Sequence, residues 1–87
     1  MASAPPNVLA LAASDPTGGA GLQADVLTLA SLGCHPLSVL TAFTIQDTHG
    51  VAAMHALSAE DIAAQARCLL ADAPVRAIKI GVVGSAS

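Results

Sequence analysis

The stretches NVLALAAS (residues 7–14) and LSVLTAFTIQ (37–46) contain no acid and no base, and RAIKIGVV (76–83) has the same aliphatic and β-branched bias around one internal lysine. A strand that carries no charge on either face has no side suited to water. Such strands are found covered on both faces, the condition met in parallel sheets flanked by helices. This constrains the chain more than any other feature. It predicts three buried strands and requires the segments between them to supply the cover.

Those segments read as helices. From Gly19 or Ala20 to Leu32, the positions Leu22, Val26 and Leu29 follow helical spacing, and Gly33 suits a helix C-cap. Ser58 with Asp61 forms an [ST]-x-x-[DE] capping pattern, with Glu60 and Asp61 where a helix dipole favours anions. That second helix is expected to run to about Ala71 and to end before Pro74. DTHG (47–50) is a turn, and Gly50–Leu57 is an excursion with room for a short strand. The order strand, helix, strand, helix, strand predicts right-handed crossovers, a parallel sheet and an α/β fold.

Composition narrows the function. The 87 residues suffice for one small domain. Only 10% of them are charged, the net charge is −3 and no Lys or Arg precedes Arg67, which argues against a nucleic-acid partner. The 21 uncharged residues between Asp25 and Asp47 are long enough to raise a membrane span, but Gly33, His35 and Pro36 interrupt them. No membrane partner is therefore expected. The apolar start has no positive region ahead of it, unlike a secretory signal, so a cytoplasmic location is expected. Cys34 and Cys68 form no CxxC pair and read as reduced core residues. His35, His49 and His55 show no ligand spacing, and no metal site is expected.

SDPTGGAGLQAD (14–25) carries the chemistry. It has no lysine, so it is not a Walker A loop. Gly19-x-Gly21-x-x-Ala24 fits the dinucleotide pattern GxGxxG/A, with Asp47 after the second strand as a ribose-binding acid. Against that, four residues, Asp15 to Gly18, separate the strand from Gly19. On a helical wheel Asp25 falls between Leu29 and Leu32, towards the core side, and must meet backbone donors, a cation or a polar ligand. Gln46 lies at the carboxyl end of the second strand, where open α/β sheets bind ligands. An amide and a carboxylate facing one crevice suit a heteroaromatic amine and would not hold a phosphate. Lys79 is expected to pair with an acid such as Asp15 or Asp47, or to snorkel to the sheet end.

Taken together, ALAASDPTGGAGLQADVLTLASLG, SVLTAFTIQDTHGV, the helix ending in DAPV, and AIKIGVVGS resemble the N-terminal part of the hydroxymethylpyrimidine/phosphomethylpyrimidine kinases of thiamine biosynthesis, in the ribokinase-like superfamily. The similarity runs from about Asn7 to Ser87. It implies a three-layer α/β fold with a parallel-rich central sheet, of which residues 1–87 are the substrate-binding part of one incomplete kinase domain. It also implies ATP and Mg²⁺ as cofactors held mainly by the rest of that fold, an aminopyrimidine substrate and a homodimer. By the same resemblance Asp25 and Gln46 bind the aminopyrimidine, the backbone near Ala13 and Thr44 and the position of Val82 line its pocket, and Gly18, Gly19 and Gly21 let the chain approach the ring.

Two positions depart from the family pattern. Ala13 stands where Gly is usual, and Val82 where Met usually follows KIG, leaving more space over the ring. The catalytic base and the glycine-rich anion-hole loop of the resembled family lie in its C-terminal half, and Gly33-Cys34, which follows a helix, is not that loop. No catalytic residue is assigned. A dinucleotide-binding module and an inactive fragment are the alternatives.

Overall fold

The computed structural model describes residues 4–81. Its elements are β1 (Asn7–Ala13), α1 (Gly21–Ser31), β2 (His35–Asp47), β3 (Gly50–Ala56), α2 (Ala59–Asp72) and β4 (Ala77–Ile80). They build one four-stranded sheet in the order β3-β2-β1-β4. β1 pairs parallel with both β2 and β4, while β3 pairs antiparallel with β2.

The expected parallel βαβαβ unit is therefore present with an antiparallel strand added, and the sheet is mixed. The excursion after DTHG is a full strand because its connection is so short. Two residues, Thr48 and His49, separate β2 from β3, and a loop of that length joins antiparallel strands only. Asp47 holds the turn, its Oδ1 accepting from the backbone N–H of His49 at 2.8 Å and of Gly50 at 3.3 Å.

The core lies where the two uncharged runs predict it, in the central strands, but the cysteines expected in it are outside: Cys34, just past the end of α1, is half-buried and Cys68, on α2, is exposed. Leu9, Ala10 and Ala12 of β1 and Val39, Thr41 and Ala42 of β2 are essentially sealed from solvent. β4 departs from expectation. Val82 and Val83 of the predicted strand lie outside the described residues; among those described, β4 covers only Ala77–Ile80, lies at the sheet edge and has all four residues exposed, Ile80 to 67%. An edge strand gains cover on one side only, so its aliphatic composition does not by itself bury it. Pro36 is tolerated in β2 because β3 pairs only from Ala42 onwards, leaving no neighbour on that side at the start of the strand.

The helices start and stop for local reasons. Ser58 caps α2, its Oγ accepting from Asp61 N–H at 3.0 Å, with Glu60 and Asp61 in the first turn. α1 ends in a Schellman motif: Cys34 N–H donates to the Leu29 carbonyl at 3.0 Å and Gly33 N–H to that of Ala30 at 3.1 Å. Gly33 takes φ +83° there, as the expected C-cap glycine should. α1 packs on β1 and β2, and α2 on β2. Gln65 of α2 grips the backbone of Leu40 with both ends of its amide, donating to the carbonyl at 2.8 Å and accepting from the N–H at 3.0 Å. Among the described residues no helix is long and apolar enough to cross a membrane.

At Gly33 a Cβ would meet no atom within 4 Å, so only the left-handed backbone opposes a side chain. Gly33→Ala is expected to lower stability by about 1 kcal/mol, read as a shift of the urea midpoint.

Candidate functional site

The carboxyl ends of β1, β2 and β4 and the start of α1 surround a cleft of about 370 Å³. Ala13, Gly21, Asp25, Thr44 and Gln46 all lie along its wall, which brings together residues up to 33 positions apart. Lys79 and Gly81 complete the wall on the β4 side, and Val51 and Met54 of β3 on the other. Gly18 and Gly19 stand outside the lining. Val82 falls outside the described residues, so the space expected over a bound ring is not described either.

Both irregularities in the sheet occur at this cleft. The β1–β2 register shifts between Ala12 and Ala13, which pair with Leu40 and Ala42, so Thr41 is the extra residue. The β2–β3 register shifts between Ile45 and Gln46, leaving Ala52 extra. A bulge bends its strand and re-aims the neighbouring side chains, and here the re-aimed neighbours are Ala13, Thr44 and Gln46. The strand ends are tied across the first bulge. Ser14 N–H donates to the Ala42 carbonyl at 2.9 Å, Thr44 N–H to Ser14 Oγ at 3.1 Å and Thr44 Oγ1 to the Ser14 carbonyl at 3.0 Å. Ser14 thus fixes Thr44 through both its backbone and its side chain, a role that its residue type alone did not signal.

The glycine loop is built around Asp15, which is 7% exposed. One carboxylate oxygen, Oδ1, accepts from Thr17 N–H at 2.9 Å and Thr17 Oγ1 at 2.8 Å, and the other accepts from Ala20 N–H at 2.9 Å. Ala20 is the N-cap of α1 and has no capping side chain of its own, so Asp15 satisfies that end of the helix from the loop. The backbone N–H of Asp15 in turn donates to Gln23 Oε1 at 2.7 Å. Hydrogen bonds from the Thr17 hydroxyl, then from the backbone N–H groups of Thr17, Ala20 and Gly19, hold the Asp15 carboxyl below its ordinary 3.8, against the opposing effect of burial.

The three loop glycines have different reasons to be there. Gly21 has φ +65°, and a Cβ on it would stand 2.5 Å from the Ala13 carbonyl oxygen and 3.1 Å from the Asp15 nitrogen. Helix and strand meet so closely that only glycine fits. Gly18 has φ +78° with open space around it, and Gly19 would meet only ordinary contacts.

Asp25 comes one turn into α1, with its side chain 15% exposed, and meets the cation that its position requires. That cation is Lys79, whose Nζ donates to Asp25 Oδ1. Lys79 thus pairs with an acid as expected, but with neither Asp15 nor Asp47: both oxygens of Asp15 serve the loop, and Asp47 holds the β2–β3 turn beside His49. Gln46 is half-buried, and among the described residues no hydrogen bond engages its side-chain amide.

The dinucleotide reading does not survive this geometry. The α1 N-terminus, where a pyrophosphate would sit, already holds the carboxylate of Asp15, and Asp47 is committed to a turn. What remains is a cleft with a carboxylate, a free amide, one ammonium and small apolar walls, suited to a flat polar ring.

Known proteins share this fold. The family model for phosphomethylpyrimidine kinase matches residues 15–87. A hydroxymethylpyrimidine/phosphomethylpyrimidine kinase of Streptomyces coelicolor is 48% identical over 82 residues, which cover 94% of this chain and 30% of that protein. The crystal structure of phosphomethylpyrimidine kinase from Clostridium difficile superposes with a TM-score of 0.86 at 44% identity, over 92% of this chain and 35% of the other. A pyridoxal kinase of Staphylococcus aureus, in complex with pyridoxal, superposes with a TM-score of 0.82 at 31% identity, over 95% of this chain and 31% of that one. The chain thus spans about a third of the length of these relatives.

Asp15→Asn tests the loop. A carboxyl whose folded value is depressed contributes stability above its unfolded value, and that contribution is lost as pH falls through the folded one. Urea unfolding of the wild type should therefore weaken from about pH 5 to below about pH 3.8 more steeply than that of the variant. Equal slopes would mean that Asp15 is not held as described. Gly21→Ala should cost about 2 kcal/mol or more, since left-handed backbone and a clash with the Ala13 carbonyl both oppose it.

Proposed function

The chain belongs to the phosphomethylpyrimidine kinase family, with a ribokinase-like α/β fold, and on that premise we propose that it forms the acceptor pocket of a kinase. The complete protein would use ATP to phosphorylate 4-amino-5-hydroxymethyl-2-methylpyrimidine and then its monophosphate, for thiamine synthesis. By the same family reading it acts in the cytoplasm as a homodimer, and residues 1–87 are the substrate-binding part of a single kinase domain.

The observation that carries this reading is the pairing of Asp25 with Gln46 across one cleft. An aminopyrimidine presents an exocyclic amine that donates and ring nitrogens that accept. The Asp25 carboxylate can only accept from the amine, and the Gln46 amide can donate to a ring nitrogen while its oxygen takes a second N–H. Ala12, Ala13 and Gly21 offer small walls between which a flat ring can lie, with Met54 at the β3 side. Ser14 and Thr44 hold the two strand ends at a constant separation, so the ring meets a preformed slot and its hydroxymethyl group is presented in one direction. That orientation is this chain's share of catalysis, because phosphoryl transfer depends mainly on positioning and charge stabilisation.

The donor side is different. Among the described residues no group of three or more His, Cys, Asp or Glu could hold a metal ion, and Lys79, the basic side chain on the cleft wall, is paired with Asp25. The donor set of these residues does not fit Mg²⁺ with a triphosphate.

Asp25→Asn in the full-length protein should weaken binding of the hydroxymethylpyrimidine by about 1–3 kcal/mol, with nucleotide affinity nearly unchanged. Titration calorimetry on this variant and on Gln46→Ala checks it. Unaltered pyrimidine affinity in both, with native circular dichroism, removes the pocket assignment. The 87-residue chain made alone should turn over no ATP with the hydroxymethylpyrimidine and should self-associate through the exposed β4 edge and exposed aliphatic residues. A coupled ATPase assay alongside light scattering reads both, and substrate-dependent turnover by a monomer would count against the reading.

A further inference from the structure

We propose that Lys79 is the positioning residue that sets the pocket's choice of ring: it holds Asp25 as a fixed acceptor, so that the site takes rings bearing an exocyclic N–H donor and rejects rings presenting an acceptor there. The proposal rests on the pyrimidine reading above and goes beyond it, since it concerns a residue that would not touch the ring.

Asp25 is on α1 and Lys79 on β4, 54 residues apart, and both line the cleft. The ion pair is lopsided in exposure. The lysine side chain is 52% exposed and the carboxylate 15%, so the acid has given up most of its water and has one cation in exchange. A carboxylate in that position without a partner would be costly. The lysine has no comparable need of the acid, because its neighbours Ile78 and Ile80 are themselves exposed.

The two oxygens of Asp25 are distinguished by what lies beside them. Oδ1 accepts from Lys79. Oδ2 faces Gly81, where a Cβ would come within 3.5 Å of it and within 3.0 Å of the Ala12 Cβ. The lack of a side chain at position 81 leaves space beside that oxygen, and Gly81 itself is held in place by donating its N–H to the Leu11 carbonyl at 2.7 Å. One oxygen is thus fastened and the other left open to the cleft. The other nearby acid, Asp15, has both oxygens occupied by Thr17 and Ala20 and cannot compete for the lysine.

An anchored carboxylate is an acceptor only. Opposite an exocyclic amine it gains a charge-assisted hydrogen bond. Opposite a carbonyl or phenolate oxygen it meets a second acceptor, and discrimination arises from that repulsion as much as from the favoured contact. Loosening the anchor should therefore reduce affinity for the amine and blur the preference together.

The test uses the full-length protein with two probes, 4-amino-5-hydroxymethyl-2-methylpyrimidine and its 4-oxo analogue. Lys79→Met should raise the Kd and KM of the amino compound about tenfold or more, reduce the amino-over-oxo preference, and change kcat by less than about threefold. Lys79→Arg, which keeps the charge, should restore most of the affinity. In an Asp25→Asn background Lys79→Met should add no further loss, because the acceptor that it positions is gone. An unchanged Kd and preference in folded Lys79→Met, or a full loss that persists without Asp25, overturns the proposal. Should circular dichroism report the methionine variant unfolded, Lys79→Gln takes its place with the same expectations. A wild-type protein that binds neither probe would overturn the pyrimidine reading itself, a result distinct from wild-type binding that is indifferent to Lys79.

Discussion

The approach of α1 to the end of β1 governs the cleft. Gly21 lies so near the Ala13 carbonyl that a methyl group would stand 2.5 Å from it. Because the helix starts this close to the sheet, its second turn reaches the cleft wall, and the residue that arrives there is Asp25. A helix displaced outward by one side chain would carry Asp25 away from Lys79 and Gly81. The loop that delivers the helix is held from within, by the carboxylate of Asp15 and the hydroxyl of Thr17.

Two acids ten positions apart therefore have opposite uses. Asp15 is consumed by backbone N–H groups and by Thr17, and its charge at the α1 N-terminus makes that end unsuitable for a phosphate. Asp25 spends one oxygen on a cation and leaves the other open. Glycine-rich loops that lead from a strand to a helix commonly serve phosphates, whereas this one has an acid built into its turn that occupies the place a phosphate would take. The same substitution of roles explains why a motif compatible with dinucleotide binding can occur in a chain whose geometry excludes it.

The sheet carries the other half of the site. β1 and β2 are the buried pair, and each of the two register shifts along β2's neighbours falls at a cleft residue, Ala13 in one and Gln46 in the other. β3 adds Val51 and Met54 to the wall, while β4 adds Lys79 and Gly81 at the opposite side. The outer strands are thus exposed over much of their length and yet supply chemistry at their ends. Their aliphatic surfaces are what a chain about a third of its relatives' length would leave uncovered.

Sequence alone determined the elements and most of the candidate site. Charge-free runs identify β1 and β2 because a buried strand tolerates no unpaired charge, and Ser58, Gly33 and Pro74 mark helix ends because capping is a local property of a few neighbouring residues. Asp25 and Gln46 were legible for a similar reason, one from its angle on a helix and the other from its place at a strand end. Tertiary structure alone decided the partner of Lys79, the antiparallel course of β3, the exposure of β4 and the parts played by Ser14 and Gly81. Each of these depends on which strand lies beside which. Pairing order joins residues dozens of positions apart through backbone hydrogen bonds that every residue except proline can make, and so it leaves little trace in the residue types themselves.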